Sequence, residues 1–102
     1  MAAKFAADSC LSAVCKVLDG PEQRGFCIVR PAGHHAHKDH SHGFCYFNNV
    51  ALAAQLAVDQ GKKVLIFDWD IHHGDGTCST FYESNQVLVM SLHRYDDGRF
   101  VP

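Results

Sequence analysis

The chain has 102 residues, 47% of them hydrophobic and 20% charged, a composition suited to one small globular domain. Its formal net charge is −2 and it carries no Lys/Arg run, so the sequence offers no basic face for direct nucleic-acid binding. No apolar run approaches transmembrane length, which argues against a membrane partner, and five cysteines without a CxxC pair predict free thiols in a reducing, intracellular compartment.

The spacing of Ala7, Leu11, Val14 and Leu18 predicts a helix over residues 2–18. Asp19-Gly20-Pro21 stops it, with Gly20 as the expected C-terminal cap. Cys10 and Cys15 read as small half-buried hydrophobes. The alanine-rich start lacks the basic stretch and long apolar core of a leader peptide. Residues 25–30 predict a short strand ending at Pro31, followed by an Ala32-Gly33 turn and then His34-His35. Five of the eight histidines fall between positions 34 and 42. His37, His40 and His42 have spacings that suit a flexible metal chelate, but no cysteine accompanies them, and a solvated loop is the favoured reading. After the apolar Gly43-Phe44-Cys45-Tyr46-Phe47, either Asn48 or Asn49 caps a predicted helix over Val50–Gln60. Val50, Ala53, Ala54, Ala57 and Val58 form its packing face, Gly61 ends it, and Lys62-Lys63 sit at its negative end.

Val64-Leu65-Ile66-Phe67 reads as a buried strand that runs into Asp68-Trp69-Asp70-Ile71-His72-His73-Gly74-Asp75-Gly76. On extended backbone Asp68, Asp70 and His72 share one face, and Trp69, Ile71 and His73 the other. An Asp-x-His pair there converges a carboxylate and an imidazole, the start of a zinc site. The competing reading is a strand end with solvated polar residues. Thr77–Ser84 predicts a short helix with Phe81 and Tyr82 packing down, and Val87–His93 a third strand. Arg94–Gly98 reads as a charged turn. Helices alternating with strands give an α/β class with at least three parallel strands. Such strands are normally covered on both faces, so the chain is expected to be a piece of a longer domain.

Ligands in open α/β sheets bind beyond the carboxyl ends of strands, where both polar clusters lie. His34-His35 and Asp68, Asp70, His72 and Asp75 together hold metal ligands, a general base and carboxylates that orient it. Zinc there would support hydrolysis of an amide or ester. A structural role for His34-His35, holding the loop by hydrogen bonds, stays open from these residues alone.

Four motifs carry a resemblance: Arg30-Pro31-Ala32-Gly33-His34-His35-Ala36, Gly43 to Asn49, Asp68 to Thr77, and Ser91-Leu92-His93-Arg94-Tyr95. In order and spacing they resemble the zinc-dependent histone deacetylase family over residues 25–102. Trp69 and the run Ser91 to Gly98 are similar to its class II branch. The resemblance implies that residues 1–102 are a partial catalytic domain of the arginase/deacetylase type, a three-layer sandwich around a parallel sheet. It implies tandem histidines His34 and His35, with His35 as general base and acid, Asp68 orienting His34 and Asp75 orienting His35. It implies Asp70 and His72 as zinc ligands, and Gly43 and Phe44 as walls for the acyl-lysine side chain. Potassium would take a structural place at Asp68, Asp70, His72, Ser91 and Leu92, and again at Phe81, Ser84 and Val87. The implied partners are acetylated histones or other acetyl-lysine proteins, with a corepressor complex as a candidate, in the nucleus or cytoplasm.

The family's third zinc ligand, an Asp, and its later Tyr or His have no counterpart in these residues, and Ala32 replaces a frequent Pro. The expected reading is therefore a deacetylase parent and an inactive isolated chain. An acetylpolyamine or other small-amide hydrolase of the same fold is the first alternative. A non-catalytic truncated product is the second.

Overall fold

A computed structural model describes residues 1–101. Helix α1 spans Ala2–Asp19 and α2 spans Asn49–Asp59. Strand β1 (Val64–Asp68), helix α3 (Asp75–Phe81) and strand β2 (Val87–Ser91) follow, and a short 3-10 turn covers Asp96–Gly98. The β1 and β2 strands pair in parallel, Val64 opposite Val87 through Asp68 opposite Ser91, with α3 as the crossover. A parallel pair needs such a crossover, because a tight hairpin reverses the chain.

The core lies where α2 meets this unit. Ala51 and Ala54 of α2 pack with Ile66, Phe81 and Val87, and Val58, Val64 and Val89 close the edges. Alanines let the helix approach the strands closely, and β-branched residues suit the pleated surface. The Asn48 side chain accepts the Ala51 N–H and caps α2. At the other end Gly61, with φ +76°, allows Gly61 N–H to reach Val58 O and Lys62 N–H to reach Ala57 O. These two bonds are a Schellman closure, which needs the left-handed residue that glycine supplies. Helix α1 packs on α2, and its Ala6 and Ala7 are buried.

Several expectations are corrected. Residues 25–30 form no strand, and the described sheet has two strands where at least three were expected. That segment finds no ladder partner among the described residues and lies along α1, with Gly25 against Ala13 and Val17. Phe26 and Ile28 are left 89% and 91% exposed. Tyr82 does not pack down beside Phe81: Phe81 is 6% exposed and Tyr82 87%. Neighbours on a helix point about 100° apart, so one face buries one of them. Helix α3 begins at Asp75, two residues early, and β2 stops at Ser91. Gly20 caps α1 as expected, in an extended conformation, with its N–H closing onto Lys16 O. Leu65, Phe67, Leu88 and Met90 stand exposed, so the strands are covered on one face among the described residues. Among the described residues no helix is long and apolar enough to cross a membrane.

Candidate active site

The carboxyl end of β1 and the start of α3 organise the site. Beyond Asp68 the backbone leaves the strand, and successive Asx turns replace extended alternation. Asp68 Oδ1 accepts the Asp70 N–H at 3.0 Å, and Asp70 Oδ1 accepts the His72 N–H at 2.8 Å. The second turn brings His72 Nδ1 to 3.0 Å from Asp70 Oδ1. Asp70 and His72 thus converge through side-chain-to-backbone bonding. The Asp70 carboxyl is held below its ordinary range, first by the His72 N–H, with burial opposing and the His72 imidazole adding.

The loop carrying His34 and His35 comes down on this turn. Asp68 Oδ2 lies 2.7 Å from His34 Nδ1, and Asp75 Oδ1 lies 2.7 Å from His35 Nδ1. The two rings sit with centroids 4.1 Å apart, and His35 is buried. An ionised carboxylate can only accept, so in each pair Nδ1 carries the proton and Nε2 keeps the lone pair. Burial raises the Asp75 pKa, but hydrogen bonds from His35 and His37 outweigh it and hold the carboxyl at about 2. His34 Nε2 lies 4.0 Å from Asp70 Oδ1, so the pair at Asp68 also looks toward the Asp70/His72 donors. His73 stands apart, its ring 4.6 Å from that of His93, and its pKa is lowered by burial and then by that neighbour.

Buried polar residues fix the loop. Thr77 is fully buried; its N–H donates to His34 O, and its hydroxyl meets the Asn48 side-chain amide at 3.0 Å. Asn48 also donates to Ala36 O, and Asn49 to Pro31 O. Both asparagines therefore hold the histidine loop, beyond the capping role legible in the sequence. Their signal was an Asn pair placed between an aromatic run and a helix.

Gly74 and Gly43 allow two close approaches. A Cβ on Gly74 would fall 2.5 Å from Asp68 Oδ2 and 3.1 Å from His34 Nδ1. One on Gly43 would strike the His35 ring, and Gly43 also has φ +52°. Phe44 follows at φ 62° and projects outward, 96% exposed. His34, His35, Gly43, Phe44, Asp70 and His72 all line one cavity of about 820 Å³. The structure thereby gathers the His34 and His35 rings, the adjacent Asp70/His72 donors and the Gly43-Phe44 wall around a single space.

The remaining residues lie outside it. Ser91 sits opposite Asp68 in the sheet, its hydroxyl 2.7 Å from His93 Nδ1, and the Leu92 N–H donates to Asp68 O. Phe81, Ser84 and Val87 meet in the turn before β2. There Phe81 O accepts the Ser84 N–H, and Ser84 Oγ accepts the Val87 N–H. His37 is not the solvated loop residue expected. Its Nε2 lies 3.0 Å from Asp75 Oδ2 and its Nδ1 3.0 Å from Ser79 Oγ. His40 does remain exposed, bonded to Asp39.

The donor chemistry at Asp70 and His72 fits a borderline cation. One carboxylate oxygen and one imidazole nitrogen stand side by side and face the cavity.

Comparison with known proteins gives a consistent picture. The Histone deacetylase domain family matches residues 1–102. Human Histone deacetylase 7 is 50% identical over 103 residues, covering 99% of this chain and 11% of that protein. Histone deacetylase 18 and Histone deacetylase 15 of Arabidopsis thaliana are 49% and 48% identical, again over 99% of this chain, and 16% and 18% of their own lengths are covered. The crystal structure of the HDA15 HD domain superposes with a TM-score of 0.95 at 48% identity, covering 99% of this chain and 30% of that one. The chain thus spans 11% to 18% of the curated relatives it matches.

Proposed function

The chain belongs to the histone deacetylase family as a class II-like member with the family's α/β fold, and from that premise we propose that its parent protein hydrolyses N6-acetyl-lysine amides with zinc. One observation carries the reading: His34 and His35, each bonded through Nδ1 to a carboxylate, line the same cavity as the Asp70/His72 donors. Asp70 and His72 would hold the zinc, with a third ligand supplied elsewhere in the parent protein. Bound zinc supplies Lewis-acid polarisation of the amide carbonyl.

The chain's own residues supply positioning and proton transfer. His35, with Nδ1 committed to Asp75, presents the lone pair of Nε2 to the attacking water, takes its proton and returns it to the departing lysine amine. Asp75 fixes that tautomer and stabilises the imidazolium that forms. His34, held in the same way by Asp68, adds a second polar ring beside the reacting carbonyl. Gly43 leaves room for the His35 ring, and Phe44 offers an apolar surface to the four methylenes of an acyl-lysine side chain. Potassium at Asp68, Asp70, His72, Ser91 and Leu92, and at Phe81, Ser84 and Val87, would brace the two strand ends.

The substrates in this reading are acetylated histones or other acetyl-lysine proteins, encountered in nucleus or cytoplasm, with a corepressor complex as the candidate assembly. The relatives' names support histones as the substrate class. Turnover of an acetyl-lysine peptide by the parent protein, measured after chelation and again after zinc is restored, tests the proposal. Loss and recovery of activity is expected. Equal rates in both states would refute zinc dependence, and preference for acetylated polyamines over the peptide would refute the substrate class.

A further inference from the structure

Three imidazoles surround the Asp75 carboxylate, and the chemistry above uses one of them. His35 Nδ1 meets Oδ1 at 2.7 Å. On the other oxygen, Oδ2, His37 Nε2 stands at 3.0 Å and His42 Nδ1 at 3.5 Å. One donor atom each from His35, His42 and Asp75 all lie within 4.8 Å of one another. The backbone holds His42 in place. His42 and Cys45 exchange N–H to O bonds of 3.2 and 2.8 Å, and the left-handed Gly43-Phe44 pair folds the chain back over His35. Two imidazole nitrogens and a carboxylate oxygen form a donor set that suits zinc, cobalt, nickel or copper, and suits magnesium or calcium poorly. Burial differs across the three: His35 is buried, Asp75 half-buried and His42 exposed, so an ion would enter from the His42 side.

We propose that His35, His42 and Asp75 form a second divalent transition-metal site, separate from Asp70 and His72, whose occupancy switches the enzyme off. Coordination through Nδ1 of His35 moves the proton that Asp75 holds there to Nε2, which then has no lone pair for the proton of water. Coordination through Nε2 engages the lone pair that takes the proton from water. Either way the ring no longer shuttles a proton. His37 bonds the same Oδ2 that His42 approaches and orients the carboxylate. The inhibitory consequence rests on the deacetylase reading, whereas binding of the ion does not.

The test uses the parent protein, stripped by chelation, reconstituted with one equivalent of Zn2+, and then titrated with Co2+. Bound metal is counted by mass spectrometry after equilibrium dialysis, and acetyl-lysine turnover is followed in parallel. Wild type is expected to bind one further equivalent while its activity falls. His42→Ala should lose that equivalent, and its inhibition midpoint, relative to its own starting rate, should rise roughly ten-fold or more. His40→Ala, altered at an exposed histidine outside the cluster, should behave as wild type. Failure of wild type to take up the further equivalent, or unchanged uptake in His42→Ala, overturns the site. Uptake that disappears in His42→Ala, in a protein with no turnover at one equivalent of zinc, upholds the site and overturns the deacetylase reading.

Discussion

Asp75 shows how one side chain serves site and stability together. Its carboxyl sits at about 2 against an ordinary 3.8, so the folded chain binds its proton more weakly than the unfolded one. That difference stabilises the fold in full above about pH 4 and is lost as pH falls toward 2. Acid unfolding followed by circular dichroism should therefore be shallower over this window in Asp75→Asn than in wild type. The same substitution replaces the carboxylate that fixes the His35 tautomer. The parent enzyme's kcat is expected to fall about 100-fold or more, with KM changing far less. At this scale the sequence was informative wherever chemistry is local. Asp70 and His72 are two apart, and an Asx turn alone brings them together. His37 was illegible, because its meeting with Asp75 depends on a loop folding across 38 residues of chain.

Among elements, α2 carries most weight because its first residues hold both the helix and the histidine loop. Asn48→Ala removes a cap worth about 1 kcal/mol and leaves Ala36 O and the Thr77 hydroxyl short of a buried donor, costing about 1–3 kcal/mol more. Denaturant titration of the parent protein should show a loss of that size. Asn48→Asp, which keeps the capping oxygen, should recover part of it. Gly43→Ala combines a left-handed backbone with a clash against the His35 ring, for an expected loss of about 1–3 kcal/mol. Turnover should fall with it, because the ring that must move is the one proposed to transfer the proton. Periodicity made α1 and α2 legible to within one residue at either end, and Gly61 marked a true helix stop. It failed at residues 25–30, where an apolar run needs a ladder partner to become a strand. Strand composition alone does not supply one.

Across the molecule, the parallel pair exposes Leu65, Phe67, Leu88 and Met90 on one face. Parallel strands of this composition are normally covered on both sides. The isolated 102-residue chain is expected to associate in solution and to bind a hydrophobic dye, as light scattering and fluorescence would report. In an acetyl-lysine assay it should show no turnover, because Asp70 and His72 would leave a bound zinc one protein ligand short of the three that a catalytic site holds beside its water. The four motifs foretold the family, since several short patterns in register are far more specific than any one. The third dimension was needed to show that two of them share a cavity with the Gly43-Phe44 turn.

In the proposed zinc-assisted amide hydrolysis His35, aligned by Asp75, moves the proton. The most direct test of that role is kcat for an acetyl-lysine peptide with the zinc-loaded parent protein and its His35→Ala variant, both checked for equal zinc content. A fall of about 100-fold or more at unchanged zinc occupancy is expected. A variant that turns over the peptide at the wild-type rate would contradict that role.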